Sequence, residues 1–145
     1  MRDQEGLIVY QENQIVWVRN FEPLNPVSIC RWPTRGGIYE SLYLNNPITT
    51  DWVPWLATNY EWENNNKKLL FTIRPNVQWS DGEPFSAHDV AYTLNLWKEY
   101  PALDTRNAWE YLKSVVAVSD TLVQIDFKRI YVPGFEAIAG APIIP

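Results

Sequence analysis

Apolar and polar positions alternate most regularly over residues 68–74, where Leu69, Phe71 and Ile73 would fall on one side of an extended chain and Leu70, Thr72 and Arg74 on the other. Residues 57–62 precede this run, and Glu63-Asn64-Asn65-Asn66 lies between, a polar cluster that tolerates turn geometry. The pattern predicts a hairpin with one strongly apolar face. A second hairpin is predicted where residues 115–118 and 122–127 bracket Ser119-Asp120, with Val123, Ile125 and Phe127 on one face. Nearer the start, Ile15, Val16, Trp17 and Val18 read as a buried strand spanning residues 14–19. Pro23 and Pro26 end it, because they exclude both helix and central strand from the stretch that follows.

The period changes after residue 86. Ser86 is placed as an N-cap, Asp89 sits in the first turn facing the positive end of the helix dipole, and Val90, Leu94 and Trp97 recur at helical spacing until Pro101. A helix over about 87–100 is predicted, preceded by a turn at Asp81-Gly82. Ile38 and Leu42, four apart, predict a short helix after the irregular stretch 30–37. Trp79 and Trp55 read as packing residues. The apolar ending Ala141-Pro142-Ile143-Ile144-Pro145 calls for a partner element, so the chain reads as truncated. Hairpins and helices alternate without the strand-helix-strand rhythm of a doubly wound sheet, which makes a mixed α/β (α+β) lobe the expected fold class.

Composition narrows the function classes. The 145 residues suffice for one core, or one domain and part of another, and 46% hydrophobic with 20% charged residues is ordinary for a packed protein. The net charge of −5, with its lysines and arginines scattered, leaves nothing to neutralise phosphates, so no nucleic acid partner is expected. No apolar run approaches the roughly 20 residues that span a bilayer. The start, Met1-Arg2-Asp3-Gln4, lacks the apolar stretch of a secretory signal, so an exported protein would have lost it. Cys30 and His88 are each single, which removes an internal disulfide, a cysteine zinc site and a Ser/His/Asp triad, and no metal or cofactor is expected. Asp81, Glu83 and Asp89 are the residue type that glycoside hydrolysis uses in pairs. Each has a structural role at hand, in a turn, beside Pro84 or at a helix N-terminus, so no catalytic residue is assigned. An enzyme acting on glycans through Asp81 and Glu83 is kept as an alternative.

The run Val77-Gln78-Trp79-Ser80-Asp81-Gly82-Glu83-Pro84-Phe85-Ser86-Ala87-His88-Asp89-Val90 closely resembles the signature of the family 5 bacterial solute-binding proteins, the dipeptide, oligopeptide and nickel receptors. Leu24-Asn25-Pro26, Tyr39-Glu40-Ser41-Leu42, Pro54-Trp55-Leu56-Ala57 and the hairpin from Leu112 to Phe127 match as well, the last a residue shorter at its turn. The resemblance implies a periplasmic-binding-protein type II-like architecture. Residues 1–40 would be the first segment of the ligand-binding lobe, 41–130 a small middle lobe, and 131–145 the return toward that lobe and the hinge. It further implies the substrate-binding component of an ABC importer, periplasmic or extracellular and not an enzyme. Such a component captures a short oligosaccharide or oligopeptide, delivers it to the transmembrane subunits of the permease, and meets the membrane only through them or a lipid anchor. Family members contact ligand just beyond the Leu-Asn-Pro element, which here implies Cys30, Arg31 and Trp32, with Asn20 and Phe21 at the strand end. Eight tryptophans tilt the ligand toward a sugar, whose C–H faces suit an indole, although Trp97 as a helix-core residue and Trp62 as a hairpin residue would account for part of that load. A lobe with a structural or interaction role and no ligand contact is the third reading.

Overall fold

The computed structural model describes residues 21–24 and 38–145. The predicted strand at residues 14–19 lies outside them. A four-stranded antiparallel sheet is formed by β3 (Ala57–Glu63), β4 (Lys68–Ile73), β5 (Leu112–Ser119) and β6 (Leu122–Phe127) in the order β3-β4-β6-β5. Both predicted hairpins are present, and they join through the central β4–β6 pair, with Phe71 opposite Val123 and Leu69 opposite Ile125. Leu69, Phe71, Ile73, Val123, Ile125 and Phe127 are all buried, as their alternation requires. The first hairpin turns on Asn64, Asn65 and Asn66, all at positive φ (50°, 52° and 60°), a left-handed conformation that asparagine tolerates better than most residues.

The helix α1 (Ala87–Glu99) covers the apolar face of the sheet. Its start is a capping box: the Ser86 hydroxyl accepts from the His88 backbone at 3.2 Å, and the Asp89 carboxylate accepts from the Ser86 backbone at 2.7 Å. Val90 and Leu94 are fully buried and Trp97 nearly so. The Asn95 side chain donates to the Val115 carbonyl and the Trp109 indole to the Leu94 carbonyl, pinning the helix to β5 and to the turn before it. Tyr100, which precedes a proline, leaves helical geometry, and two short 3-10 turns (Pro101–Leu103 and Ala108–Glu110) lead into β5.

A second, two-stranded sheet pairs β1 (Tyr43–Asn45) with β2 (Trp52–Pro54). It replaces the short helix expected over 38–43. Ile38 is half exposed while Leu42 is fully buried, so their four-residue spacing marks no common face. Ser41 instead forms an antiparallel bridge to Pro142. A short helix, α2 (Gly134–Ala139), which the pattern did not announce, precedes the return of the chain. The apolar ending finds its partners inside the lobe: Ile143 donates its backbone N–H to the Glu40 carbonyl at 2.9 Å, and Ile144 exchanges two hydrogen bonds with the buried Thr93 hydroxyl. Leu42, Ile138, Ile143 and the sheet share one core with α1. Among the described residues no helix is long and apolar enough to cross a membrane.

Candidate ligand-binding site

Of the residues expected to contact ligand, Phe21 alone is described; Asn20, Cys30, Arg31 and Trp32 lie outside the described residues. The Phe21 ring is 47% exposed, whereas Leu24, three residues on, is 6% exposed. Leu24 donates its backbone N–H to the Glu22 carboxylate at 2.9 Å. Pro23 and Leu24 line a cleft of about 280 Å³ together with Trp97, Asp104, Arg106, Ala137 and Pro142. The stretch leading into the expected ligand loop is thus seated where α1, α2 and the returning chain meet.

A second cleft, of about 390 Å³, is walled by Ile38, Tyr39 and Glu40, by Trp79 and Asp81, and by Pro145. The signature turn therefore borders the place where the chain crosses into and out of the lobe. Of the three signature carboxylates, Asp81 lines this cleft, and Glu83 and Asp89 do not. Asp81 accepts from the Glu83 backbone at 3.0 Å, Asp89 closes the capping box, and Glu83 is exposed with its carbonyl bonded to the Trp79 N–H. A carboxylate pair poised for acid and base work needs a shared substrate position. Here the Asp81 and Asp89 carboxylates instead each hold a turn of backbone, and Glu83 takes part in its turn through its main chain. Among the described residues no group of three or more His, Cys, Asp or Glu side chains is gathered so as to hold a metal ion.

The tryptophans divide in the same manner. Trp62 packs its ring on Phe127 at 5.4 Å, Trp97 is buried under α1, Trp109 caps the Leu94 carbonyl, and Trp52 stands edge-on to Phe135 at 5.5 Å. Trp79 packs edge-on to Phe85 at 5.6 Å, in keeping with a packing role, although its buried indole N–H finds no hydrogen-bond partner among the described residues. Trp55 does not follow: its side chain is 43% exposed, and the residue contributes through its backbone, the N–H to Leu42 and the carbonyl to the Arg74 guanidinium. Its neighbour Leu56 takes the buried position, in the two-residue bend that joins β2 to β3. Most of the tryptophan load is thus spent on packing. Trp17 and Trp32 lie outside the described residues.

The sequence model described as bacterial extracellular solute-binding proteins, family 5 Middle, matches residues 51–145, which hold the whole four-stranded sheet, both helices and the signature turn. The chain belongs to the family 5 bacterial extracellular solute-binding proteins. The nickel-binding periplasmic protein of Escherichia coli is 31% identical over 131 residues, covering 85% of this chain and 24% of that protein. A probable ABC transporter-binding protein of Deinococcus radiodurans is 26% identical over 130 residues, covering 85% of this chain and 22% of its own length. The crystal structure of a mannohexaose-bound periplasmic oligopeptide-binding protein from Thermotoga maritima superposes with a TM-score of 0.78 at 28% identity, covering 87% of this chain and 23% of that one. The chain spans about a quarter of the length of these relatives. Family 5 members are binding components of ABC transporters rather than enzymes, and the fold is that of the periplasmic oligopeptide- and nickel-binding proteins.

The pattern of apolar residues missed the crossing of residues 39–42 with 141–145 and the Thr93 clip that holds it. One signal was available. Thr93 is a polar residue on the buried side of α1, between Val90 and Leu94; its hydroxyl donates back to the Asp89 carbonyl at 2.8 Å, and its buried oxygen still has accepting capacity for a group from elsewhere in the chain.

Proposed function

We propose that the whole protein is the substrate-capturing component of an ABC importer acting in the periplasm or at the cell exterior. In this reading residues 41–130 form its small middle lobe, 1–40 begin the ligand-binding lobe, and 131–145 return to that lobe and the hinge. The observation that carries it is the family match over residues 51–145, the region that folds here as a closed lobe with both chain connections side by side. The ligand is a short oligosaccharide or oligopeptide, held in part by Cys30, Arg31 and Trp32 with Asn20 and Phe21 beside them, and the loaded form is handed to the permease transmembrane subunits. The mannohexaose carried by the Thermotoga maritima neighbour supports a sugar; the tryptophan count of this chain adds little, since most of those rings are spent on packing. Capture requires that ligand favour the closed arrangement of lobes over the open one.

The test is a thermal-shift panel on the full-length protein with mannohexaose, short peptides and nickel, followed by titration of the Trp32→Ala variant with whichever ligand stabilises it. Stabilisation by the glycan or a peptide is expected, with Trp32→Ala weakening binding by about 1 to 3 kcal/mol, the loss of one stacked aromatic contact. Stabilisation by nickel alone would replace the ligand class, and an unchanged titration for Trp32→Ala would move the site away from the early loop.

A further inference from the structure

Tyr111 and Tyr131 stack face to face with ring centroids 3.9 Å apart and planes within 7° of parallel. Among the described residues every other ring contact is tilted or edge-on. Both rings are partly exposed, so an oxidant in solvent can draw electrons from them. Their backbones are also fixed. Lys128 donates its N–H to the Tyr111 carbonyl at 2.8 Å and its ammonium to the carbonyls of Trp109 and Glu110, Arg129 pairs with Glu110 at 3.1 Å, and the Gly134 N–H bonds to the Tyr131 carbonyl. Gly134 leaves no free space beside the pair, since a Cβ there would sit 2.9 Å from Phe127 and 3.3 Å from the Tyr131 ring.

We propose that Tyr111 and Tyr131 are a site of oxidative cross-linking, joined by a haem-peroxidase type of oxidant and hydrogen peroxide into an intrachain dityrosine. Each phenol loses one electron and its hydroxyl proton. The two phenoxyl radicals form one C–C bond between carbons ortho to the oxygens, and each ring regains aromaticity by moving its displaced ring hydrogen to oxygen. Two electrons and two protons pass to one peroxide, which leaves as two waters. Holding reactants in contact replaces a bimolecular encounter of radicals with an intramolecular one, which is why a pre-stacked pair outcompetes isolated tyrosines. The bond would tie the start of β5 to the segment before α2, a covalent closure that the single cysteine cannot supply within one chain.

The molecule contains its own controls. Tyr43 and Tyr60 are 5.7 Å apart but at 83°, with Tyr43 buried, while Tyr92 and Tyr100 are more than half exposed and have no stacked ring among the described residues. The experiment treats the dilute protein with a haem peroxidase and limiting peroxide, then reads dityrosine fluorescence, intact mass, oligomeric state and the cross-linked peptides. A monomer lighter by two hydrogens, with the link mapped between Tyr111 and Tyr131 and a higher melting temperature, is expected. Tyr131→Phe and Tyr111→Phe, which keep the stacked rings, should each abolish the intrachain link. Cross-links confined to Tyr92 or Tyr100 between molecules, an undiminished intrachain yield in either variant, or oxidation of tryptophan without dityrosine would overturn the assignment. None of these readouts depends on the ligand or the permease.

Discussion

Between Trp79 and Asp89 most hydrogen bonds close within four residues, with Phe85 bonding to Val77 and Ala87 to the Asp120 carbonyl as exceptions. Gly82 bonds back to Trp79, Glu83 to Asp81, Ser86 to Asp89 and His88 to Ser86. Around Phe135 the partners arrive from far along the chain: its ring meets Tyr43, Trp52, Tyr60 and Phe71 at centroid distances of 4.4 to 5.9 Å, and Trp52 in turn lies over Gly140 at 3.1 Å from where a Cβ would be. The first region is a string of local instructions, and the second is an aromatic junction assembled from both ends of the lobe. The contrast separates two sources of order. Turn and cap chemistry fixes backbone direction over a few residues, and burial of large rings decides which distant elements come together.

The largest effect should therefore come from the junction. Phe71 is fully buried and forms the floor on which Tyr43, Tyr60 and Phe135 rest, so Phe71→Ala is expected to lower stability by about 3 to 5 kcal/mol in denaturant unfolding. A loss below that of a surface substitution would mean that the rings contribute little cohesion. Ser86→Ala, which removes the cap from the local region, should cost about 1 kcal/mol and leave the tertiary near-ultraviolet signal intact. If it cost as much as Phe71→Ala, the turn and cap could no longer be described as self-contained.

A smaller, pH-dependent difference should sharpen the same contrast. Burial, and secondarily the neighbouring Tyr60 hydroxyl, hold the Tyr43 phenol above its ordinary value of 10.0. The unfolded chain ionises near that ordinary value while the folded phenol stays neutral. The associated stability is thus complete below about pH 10 and is lost as pH rises through the raised folded value. Tyr43→Phe should flatten the alkaline limb of the stability curve without changing its slope near neutrality. An identical alkaline slope in the variant would assign that titration to other tyrosines, of which Tyr131 and Tyr100 are also shifted upward.

The signature turn, the capped helix and both hairpins were legible in the order of residues because each depends on chemistry within one or two turns of backbone. Ser86 and Asp89 are three apart, Leu69, Phe71 and Ile73 alternate, and three successive asparagines mark a turn wherever they occur. The short helix expected at 38–43 failed for the complementary reason. Ile38 and Leu42 satisfy helical spacing, but the backbone partners of that stretch lie outside it, at residues 55–57 and about 100 residues away at Pro142 and Ile143. Trp55 was misplaced because it falls in the bend between β2 and β3, where no strand alternation assigns its side chain to the core. The expected ligand residues other than Phe21 lie outside the described residues, so their placement rests on the family resemblance alone.

By itself the sequence determined the family, through the run from Val77 to Val90, and with it the local geometry of a strand, a turn and a capped helix. Tertiary structure alone decided that the incoming and returning chains lie side by side, that Thr93 clips them to α1, and that Tyr111 stacks on Tyr131. The division follows from range. Dihedral preferences and caps act between neighbours, whereas buried hydroxyls and stacked rings are satisfied by whichever distant residue the closed core presents.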